Sequence, residues 1–416
     1  MNQPVIQHSI SSRRDFLRQS AFAGAAGYLA SSMPAFGQTG SEKKIRIGIA
    51  GGGFGLNFYW NKHPNCIVQA VTDLREDRRK RLMQVYQCDK SYPSLEEMVK
   101  DPDIDAIAVF TEGPNHYKHT VLAMDHGKHV ISACPVVMGY SAEEGLDQAH
   151  RLLEKVRQTG LTYMTAETSM WSQTAITVRK LYQDGELGEI ISCDADYLHP
   201  GLRELYGTAD KPTWRYGVPP MFYPTHCTAY LVGLTGETLT HVSCTGWGNE
   251  DPICKKNAYN NPFWNETAHF RTSKGNACRV RVWWEAAVWS TENATWYGTR
   301  KTIDRKTIEG RERRIWSQEN QLGKDDAGFA HKAAKMTRLE EKEWWNTDML
   351  PEGMRLNSGH HGSHAFIAHE FIDSLVNNRK PVTDIIAALN FAVPGIVAHQ
   401  SSLKDGELLK IPQFGA

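Results

Sequence analysis

Between residues 45 and 165, short apolar runs alternate with stretches whose apolar positions recur at helical spacing. Ile45–Ala50 is a near-continuous apolar run, the pattern of a strand buried on both faces. Ile67–Thr72, Ile104–Phe110, His129–Ser132 and Leu161–Thr165 read the same way. Between them, Gly51-Gly52-Gly53-Phe54-Gly55 leads into an expected helix, and Tyr117–Asp125 is a second. Ser141-Ala142-Glu143-Glu144 is a capping box opening a third, whose Leu146, Ala149, Leu153 and Val156 recur at helical spacing until Gly160 ends it. Strands and helices alternating at these lengths predict an α/β unit over residues 38–165, a Rossmann-type doubly wound parallel sheet.

The texture changes at residue 166. After one helix, Ala175–Tyr182, come β-rich runs at Ile190–Tyr197, Leu239–Gly246, Glu266–Thr272 and Cys278–Ala287. They predict an α+β domain over 166–416 with a large, mostly antiparallel open sheet. Residues 297–350 are polar and charged, with Trp316, Trp344 and Trp345, and read as a long insertion or loop. The segments Phe366–Val376 and Ile385–His399 close the chain and are expected to pack back on the first domain.

The first residues stand apart. Ser12-Arg13-Arg14-Asp15-Phe16-Leu17-Arg18 is a twin-arginine sequence before a weakly apolar run, Ala21–Ala30, and the small residues around Ala35-Phe36-Gly37. Residues 1–37 are therefore expected to be a signal peptide directing the folded protein to the periplasm or outside the cell. That run is too short to span a bilayer, no other stretch qualifies by inspection, and a soluble mature protein is expected. Across the 416 residues, Lys+Arg and Asp+Glu balance at 47 each, which gives no basic face for nucleic acid. The eight cysteines show no CxxC pair, and folding in a reducing compartment predicts no disulfide.

Gly51, Gly53, Phe54 and Gly55 lie between a strand and an expected helix, where a dinucleotide fingerprint belongs. Its third conserved-size position is Leu56. Asp73 closes the second strand, where a carboxylate bonds ribose hydroxyls and repels a 2′-phosphate. NAD is the expected cofactor, with Arg75 leaving NADP open.

Thr111-Glu112-Gly113-Pro114-Asn115-His116-Tyr117-Lys118-His119, then Ala123, Gly127-Lys128-His129-Val130 and Pro135, with Pro394-Gly395-Ile396 and Ala398-His399 near the end, resemble the Gfo/Idh/MocA oxidoreductase family. The resemblance implies a Rossmann domain followed by an open-sheet domain, assembly as dimers or tetramers, and cofactor contacts from Pro114, Asn115, His119, Cys134 and Pro135. The family's Glu-Lys-Pro motif is Ala133-Cys134-Pro135 here, and cysteine lacks the lysine's positive charge.

Ala166-Glu167-Thr168, Tyr197-Leu198-His199 with Leu202-Arg203-Glu204, and Tyr223-Pro224-Thr225-His226 resemble the NAD-dependent α-N-acetylgalactosaminidase branch, which also lacks that lysine. Gly359–His364 matches more loosely. The resemblance implies a carbohydrate substrate oxidised to a keto-sugar, eliminated, hydrated and re-reduced. It implies His226 as base at the oxidised hydroxyl, Tyr197 as base at C2 if its surroundings lower its pKa, and Tyr223 assisting water or the leaving group. Glu167 and His199 would orient sugar hydroxyls, and Arg203 would bind a charged substituent or pair with Glu204. Two other readings stay open: a sugar or polyol dehydrogenase releasing NADH, and a sugar-binding protein with a relic cofactor.

Further residues carry alternatives. His360 and His364 have the spacing of two metal ligands on a helix, yet the flanking Gly359 and Gly362 and the lack of an acidic partner predict no metal. Cys134 reads as a nucleophile or a small core residue. Trp283, Trp284, Trp289 and Trp296 would stack on sugar faces or lie in a core or subunit interface.

Overall fold

The computed structural model describes residues 41–415 apart from 201–204, 289, 305–312, 325, 326 and 329. The apolar runs become strands β1 (Ile45–Ala50), β2 (Cys66–Thr72), β3 (Ser91–Tyr92), β4 (Ala106–Val109), β5 (His129–Ser132) and β6 (Tyr163–Thr165). They form one sheet in the order β3-β2-β1-β4-β5-β6, every pairing parallel. Ile47, Ile49 and all of β4 are buried, as a sheet covered on both faces requires. The strand order reverses between β1 and β4, so a crevice opens at their carboxyl ends.

The capping box holds: Ser141 Oγ accepts from Glu144 N at 3.2 Å, opening the helix Ala142–Thr159, and Gly160 closes it at φ 67°. The helix expected after Gly55 does not form. Two 3₁₀ segments, Phe54–Asn57 and Trp60–Lys62, stand there, with Tyr59 left-handed at φ 57°. Packing overrides propensity: Phe58 and Trp60 are fully buried and stacked 5.9 Å apart. With no α-helix the macrodipole is small, and an anion at the glycine turn is met chiefly by the turn's own N–H groups.

Further along come β7 (Ile190–Leu198), the small pair β8 (Gly207–Thr208) and β9 (Lys211–Pro212), then β10 (Leu239–Trp247), β11 (Asn265–Thr272) and β12 (Ala277–Trp283). Residues 297–350 are not the loop expected. Strands β13 (Thr291–Gly298), β14 (Lys301–Ile303), β15 (Arg314–Lys324) and β16 (Ala330–Arg338) extend the sheet. With β17 (Leu409–Lys410) it has nine strands, ordered β16-β15-β14-β13-β7-β12-β11-β10-β17, and only β7 and β12 pair in parallel. β14 to β16 run out to the free edge of the sheet, where charged residues need no apolar alternation. β13 lies inside it, with Asn293–Trp296 buried, and was obscured by its polar Asn293 and Thr295.

The helices Thr225–Thr235 and Ile385–Ser402 are apolar all round because they are core. Contrary to the reading above, Ile385–Ser402 is long and apolar enough to cross a membrane, but 89% of it is buried inside the fold. It packs against the Ala142–Thr159 helix and β6 as well as β10. All eight cysteines are free thiols.

Candidate active site

The candidate residues sit at one end of the parallel sheet because each follows a strand terminus directly. Gly51 follows β1, Asp73 follows β2, Thr111 lies just past β4, Cys134 just past β5, and Glu167 just past β6. His226 enters from the first turn of the Thr225–Thr235 helix, and Tyr197 and His199 from the end of β7.

The cofactor side fits a dinucleotide. Gly51 has φ 108°, and a Cβ there would lie 2.2 Å from the Phe110 carbonyl oxygen. A Cβ on Gly53 would instead meet nothing nearer than Arg78 Nη1 at 3.8 Å, so its backbone faces open space where a pyrophosphate can approach. Phe54 and Gly55 continue the turn. Asp73 Oδ2 accepts from Gly52 N at 2.6 Å and Oδ1 from Arg75 N at 2.8 Å, which leaves lone pairs for ribose hydroxyls. Asp73→Ala is expected to weaken NAD binding by about 1.5–3 kcal/mol in titration calorimetry, and an unchanged affinity would assign this carboxylate to the turn alone.

Pro114 and Asn115 lie in a short 3₁₀ turn, Gly113–Asn115. His119 Nδ1 meets Thr111 Oγ1 at 2.8 Å, and burial lowers its pKa to about 4. His116 reaches both the Pro135 carbonyl (2.8 Å) and the Thr111 carbonyl (3.0 Å), tying the loops after β4 and β5 together.

The chemistry centres on His226. Its Nδ1 lies 2.9 Å from Glu167 Oε1, and its Nε2 lies 3.8 Å from Cys134 Sγ. Glu167 is fully buried, and the same Oε1 accepts from Ser169 N at 3.1 Å. Ser169 Oγ donates to Glu292 Oε1, which stands 3.8 Å from His226 Nδ1. Burial alone would raise the Glu167 carboxyl, but the His226 charge and the hydrogen bonds hold it at about 2. Burial alone would lower His226, but the Glu167 carboxylate, helped by Glu292, lifts it well above the ordinary histidine value. The pair is therefore ionised at neutral pH, with an imidazolium facing the thiol.

The surroundings bear on three of the sequence-based roles. His226, expected as a base, has its pKa raised and so holds its proton at neutral pH. Glu167, expected at sugar hydroxyls, is fully buried and turns its Oε1 to His226 Nδ1. Tyr197, expected as a phenolate-type base, has its pKa raised by burial, and Tyr223 is pushed up to about 12; both are hydroxyl donors at neutral pH. Their rings rest edge-on against buried Trp284, at 5.7 and 5.8 Å. Trp284 and Trp296 are core and Trp283 pairs edge-on with Trp247, so these three tryptophans offer no sugar platform. Arg203, Glu204 and Trp289 lie outside the described residues.

Buried polar atoms without a hydrogen bond gather here: Glu167 Oε2, Thr225 Oγ1 and His199 Nδ1. Groups of that kind mark where a ligand or water belongs. The sequence reading missed Ser169, Thr225, Arg215 and Glu292. Arg215 stacks its guanidinium 4.0 Å over Trp214, and its charge acts on Tyr223 against burial. The aromatic flanks in Trp214-Arg215-Tyr216 were the one available signal for it.

Ligand atoms of Cys134, Glu167 and His226 lie within 4.8 Å of one another. Glu167 holds Nδ1 while Cys134 faces Nε2, and those ring lone pairs diverge, so an ion on one nitrogen is out of reach of the partner of the other. The arrangement is a histidine with a carboxylate behind it and a thiol in front, not a ligand shell.

Comparison with known proteins agrees with this architecture. The pattern of the Gfo/Idh/MocA oxidoreductase family, NAD-binding Rossmann fold, matches residues 45–167. A glycosyl hydrolase family 109 protein of Streptomyces coelicolor is 26% identical over 265 residues, 56% of this chain and 54% of that relative. The 2,7-anhydro-N-acetylneuraminate hydratase of Escherichia coli K12 is 25% identical over 225 residues, 50% of this chain and 57% of its own. The chain thus spans about half the length of the curated relatives it matches. Among solved structures, levoglucosan dehydrogenase in complex with NADH superposes with a TM-score of 0.70 at 16% identity, covering 89% of this chain and 100% of that one; the likeness is one of fold.

Proposed function

We propose that this chain, whose residues 45–167 are an NAD-binding domain of the Gfo/Idh/MocA oxidoreductase family, cleaves a glycosidic bond by way of a keto-sugar. One observation carries the reading: the ionised Glu167–His226 pair facing a thiol. Both routes need an acceptor for the proton of the hydroxyl that is oxidised, but only glycoside cleavage also needs a proton donor at the leaving oxygen. A lysine ammonium at position 134 would repel the imidazolium and strip its proton; the neutral Cys134 thiol lets His226 keep it. The relatives named for glycoside and anhydro-sugar chemistry support the same choice.

Bound NAD supplies a reversible hydride acceptor for a sugar C–H. His226 Nε2–H donates toward the leaving oxygen, and Glu167 holds the ring on its other edge. Tyr197 and Tyr223 donate hydrogen bonds to sugar oxygens. His199 offers its unpartnered Nδ1 to a sugar hydroxyl. We further assign the twin-arginine segment to export of the folded, cofactor-loaded protein and the open sheet to a homo-oligomer; both rest on sequence alone.

The test is incubation with a panel of nitrophenyl glycosides, following nitrophenol release and NADH absorbance together. Cleavage without net NADH is expected, with deuterium entering C2 of the released sugar in D₂O. Stoichiometric NADH with a keto-sugar accumulating on an intact glycosidic bond would overturn the proposal in favour of a sugar dehydrogenase.

A further inference from the structure

With His226 protonated and both tyrosines holding their protons, none of these three is a base at neutral pH. A second histidine fills that role. His360, His361 and Gly362 have φ values of 50°, 57° and 85°, three successive left-handed residues. L-residues take up such a run only where the surroundings impose it. Here Gln173 Nε2 donates to the His361 carbonyl at 3.1 Å, and Gly362 N donates to the Ser358 carbonyl at 2.8 Å. The turn sets His360 beside the glycine turn, edge-on to Phe54 at 5.7 Å. It is open to solvent on one side, while enough of its ring is covered for burial to act on it, and it is under the electrostatic influence of Glu292, His226 and Glu167.

The tautomer of His360 follows from an acceptor that cannot donate. The Asn57 carbonyl lies 3.0 Å from His364 Nδ1, so that nitrogen carries a hydrogen. In a neutral ring His364 Nε2 is then the acceptor, and His360 Nδ1, 2.8 Å away, must donate to it. The free lone pair of His360 therefore falls on Nε2, which has no hydrogen-bond partner among the described residues.

We propose that His360 is a general base of this site, accepting a substrate proton through Nε2; this rests on the carbohydrate reading above. On a sugar already carrying the C3 ketone, made with oxidised nicotinamide as hydride acceptor, the C2–H bond breaks and its proton passes to His360 Nε2. The electron pair forms the C1–C2 double bond, the C1–O bond breaks, and the leaving oxygen takes the proton of His226 Nε2. One imidazole gains a proton as the other loses one.

The charged and titratable groups facing His360 are Glu292 from β13, His226 from its helix, Glu167 after β6, and His361 and His364 on its own segment. Burial, His226 and His361 lower its pKa, and Glu292 and Glu167 act against them. Two histidines whose surroundings push their pKa values apart form an acid and base pair.

The test uses NAD-loaded full-length protein with isotope-labelled histidine. Imidazole NMR is expected to show His360 neutral at pH 7 as the Nδ1–H tautomer, titrating below an ordinary histidine, with His226 still doubly protonated. His360→Asn assigns the signal, suits a left-handed backbone, and keeps a donor for His364. It is expected to retain bound NAD, lose roughly 10²–10⁴-fold in turnover, and lose the limb of the pH profile on which activity falls toward acid. His360 found as the Nε2–H tautomer, or an active His360→Asn that keeps its acid limb, overturns the assignment. A wild-type protein inactive on every glycoside would instead defeat the reading of the reaction, so the two failures are distinguishable.

Discussion

Glu167→Gln is expected to lower turnover by roughly 10²–10⁴-fold while leaving His226 in place, because glutamine still offers Nδ1–H an acceptor oxygen. What it removes is charge. Glu167 is the largest influence raising the His226 pKa against burial, so without it burial prevails and the ring is neutral near pH 7. The alkaline limb of the pH profile, where activity falls as the acid loses its proton, should move to lower pH. Stability should respond in a defined window. The carboxylate's depressed pKa stabilises the fold above its unfolded value, and that contribution is lost as pH falls through about 2. The raised His226 pKa stabilises it below the unfolded histidine value, and that contribution is lost as pH rises through the folded one. Thermal unfolding of the wild type should thus weaken at both extremes more steeply than that of the variant. An unchanged alkaline limb in Glu167→Gln would mean that His226 is not the acid.

Much of this was legible in the sequence for one physical reason: a parallel strand buried on both faces writes an apolar run, and the residue after it must sit at the sheet's carboxyl end. Gly51 and Asp73 were found that way. Cys134, Glu167, His226 and Tyr197 came from the resemblance. Protonation states were not readable. Whether His226 is acid or base depends on Glu167 being fully buried and within 2.9 Å, a contact between residues 59 positions apart. The strands β14 to β16 were hidden because their composition is that of a solvated surface, and β13 because its buried residues include the polar Asn293 and Thr295. The missing helix after Gly55 reflects tertiary override, since burying Phe58 and Trp60 outweighed the weak local preference. His360 was visible as a residue, but its role rests on a left-handed turn and on Asn57, neither of which spacing reveals.

Gly51→Ala is expected to damage the fold itself, and comparison with Gly53→Ala isolates why. At Gly51 the backbone has φ 108°, and an added methyl would lie 2.2 Å from the Phe110 oxygen and 2.6 Å from its carbonyl carbon. Those are backbone atoms of the chain leaving β4, which pairs with β1 through register partners such as Ala50 and Val109. Relief therefore requires two central strands to separate. The conformational strain costs about 1–3 kcal/mol and the overpacking a similar amount, a large share of a typical 5–15 kcal/mol stability. At Gly53, where φ is −90°, the added methyl meets open space, so the cofactor-free protein should keep its stability to within about 0.5 kcal/mol. The same methyl occupies the approach to the pyrophosphate, and NAD affinity should fall at least about tenfold, some 1.4 kcal/mol. Melting temperatures of the two cofactor-free variants, measured beside NAD titrations, decide the matter. Gly51→Ala should melt well below Gly53→Ala, while both bind NAD poorly. Equal melting temperatures would show that β1 and β4 tolerate the methyl, and a Gly53→Ala protein with wild-type NAD affinity would show that the dinucleotide does not cross this turn.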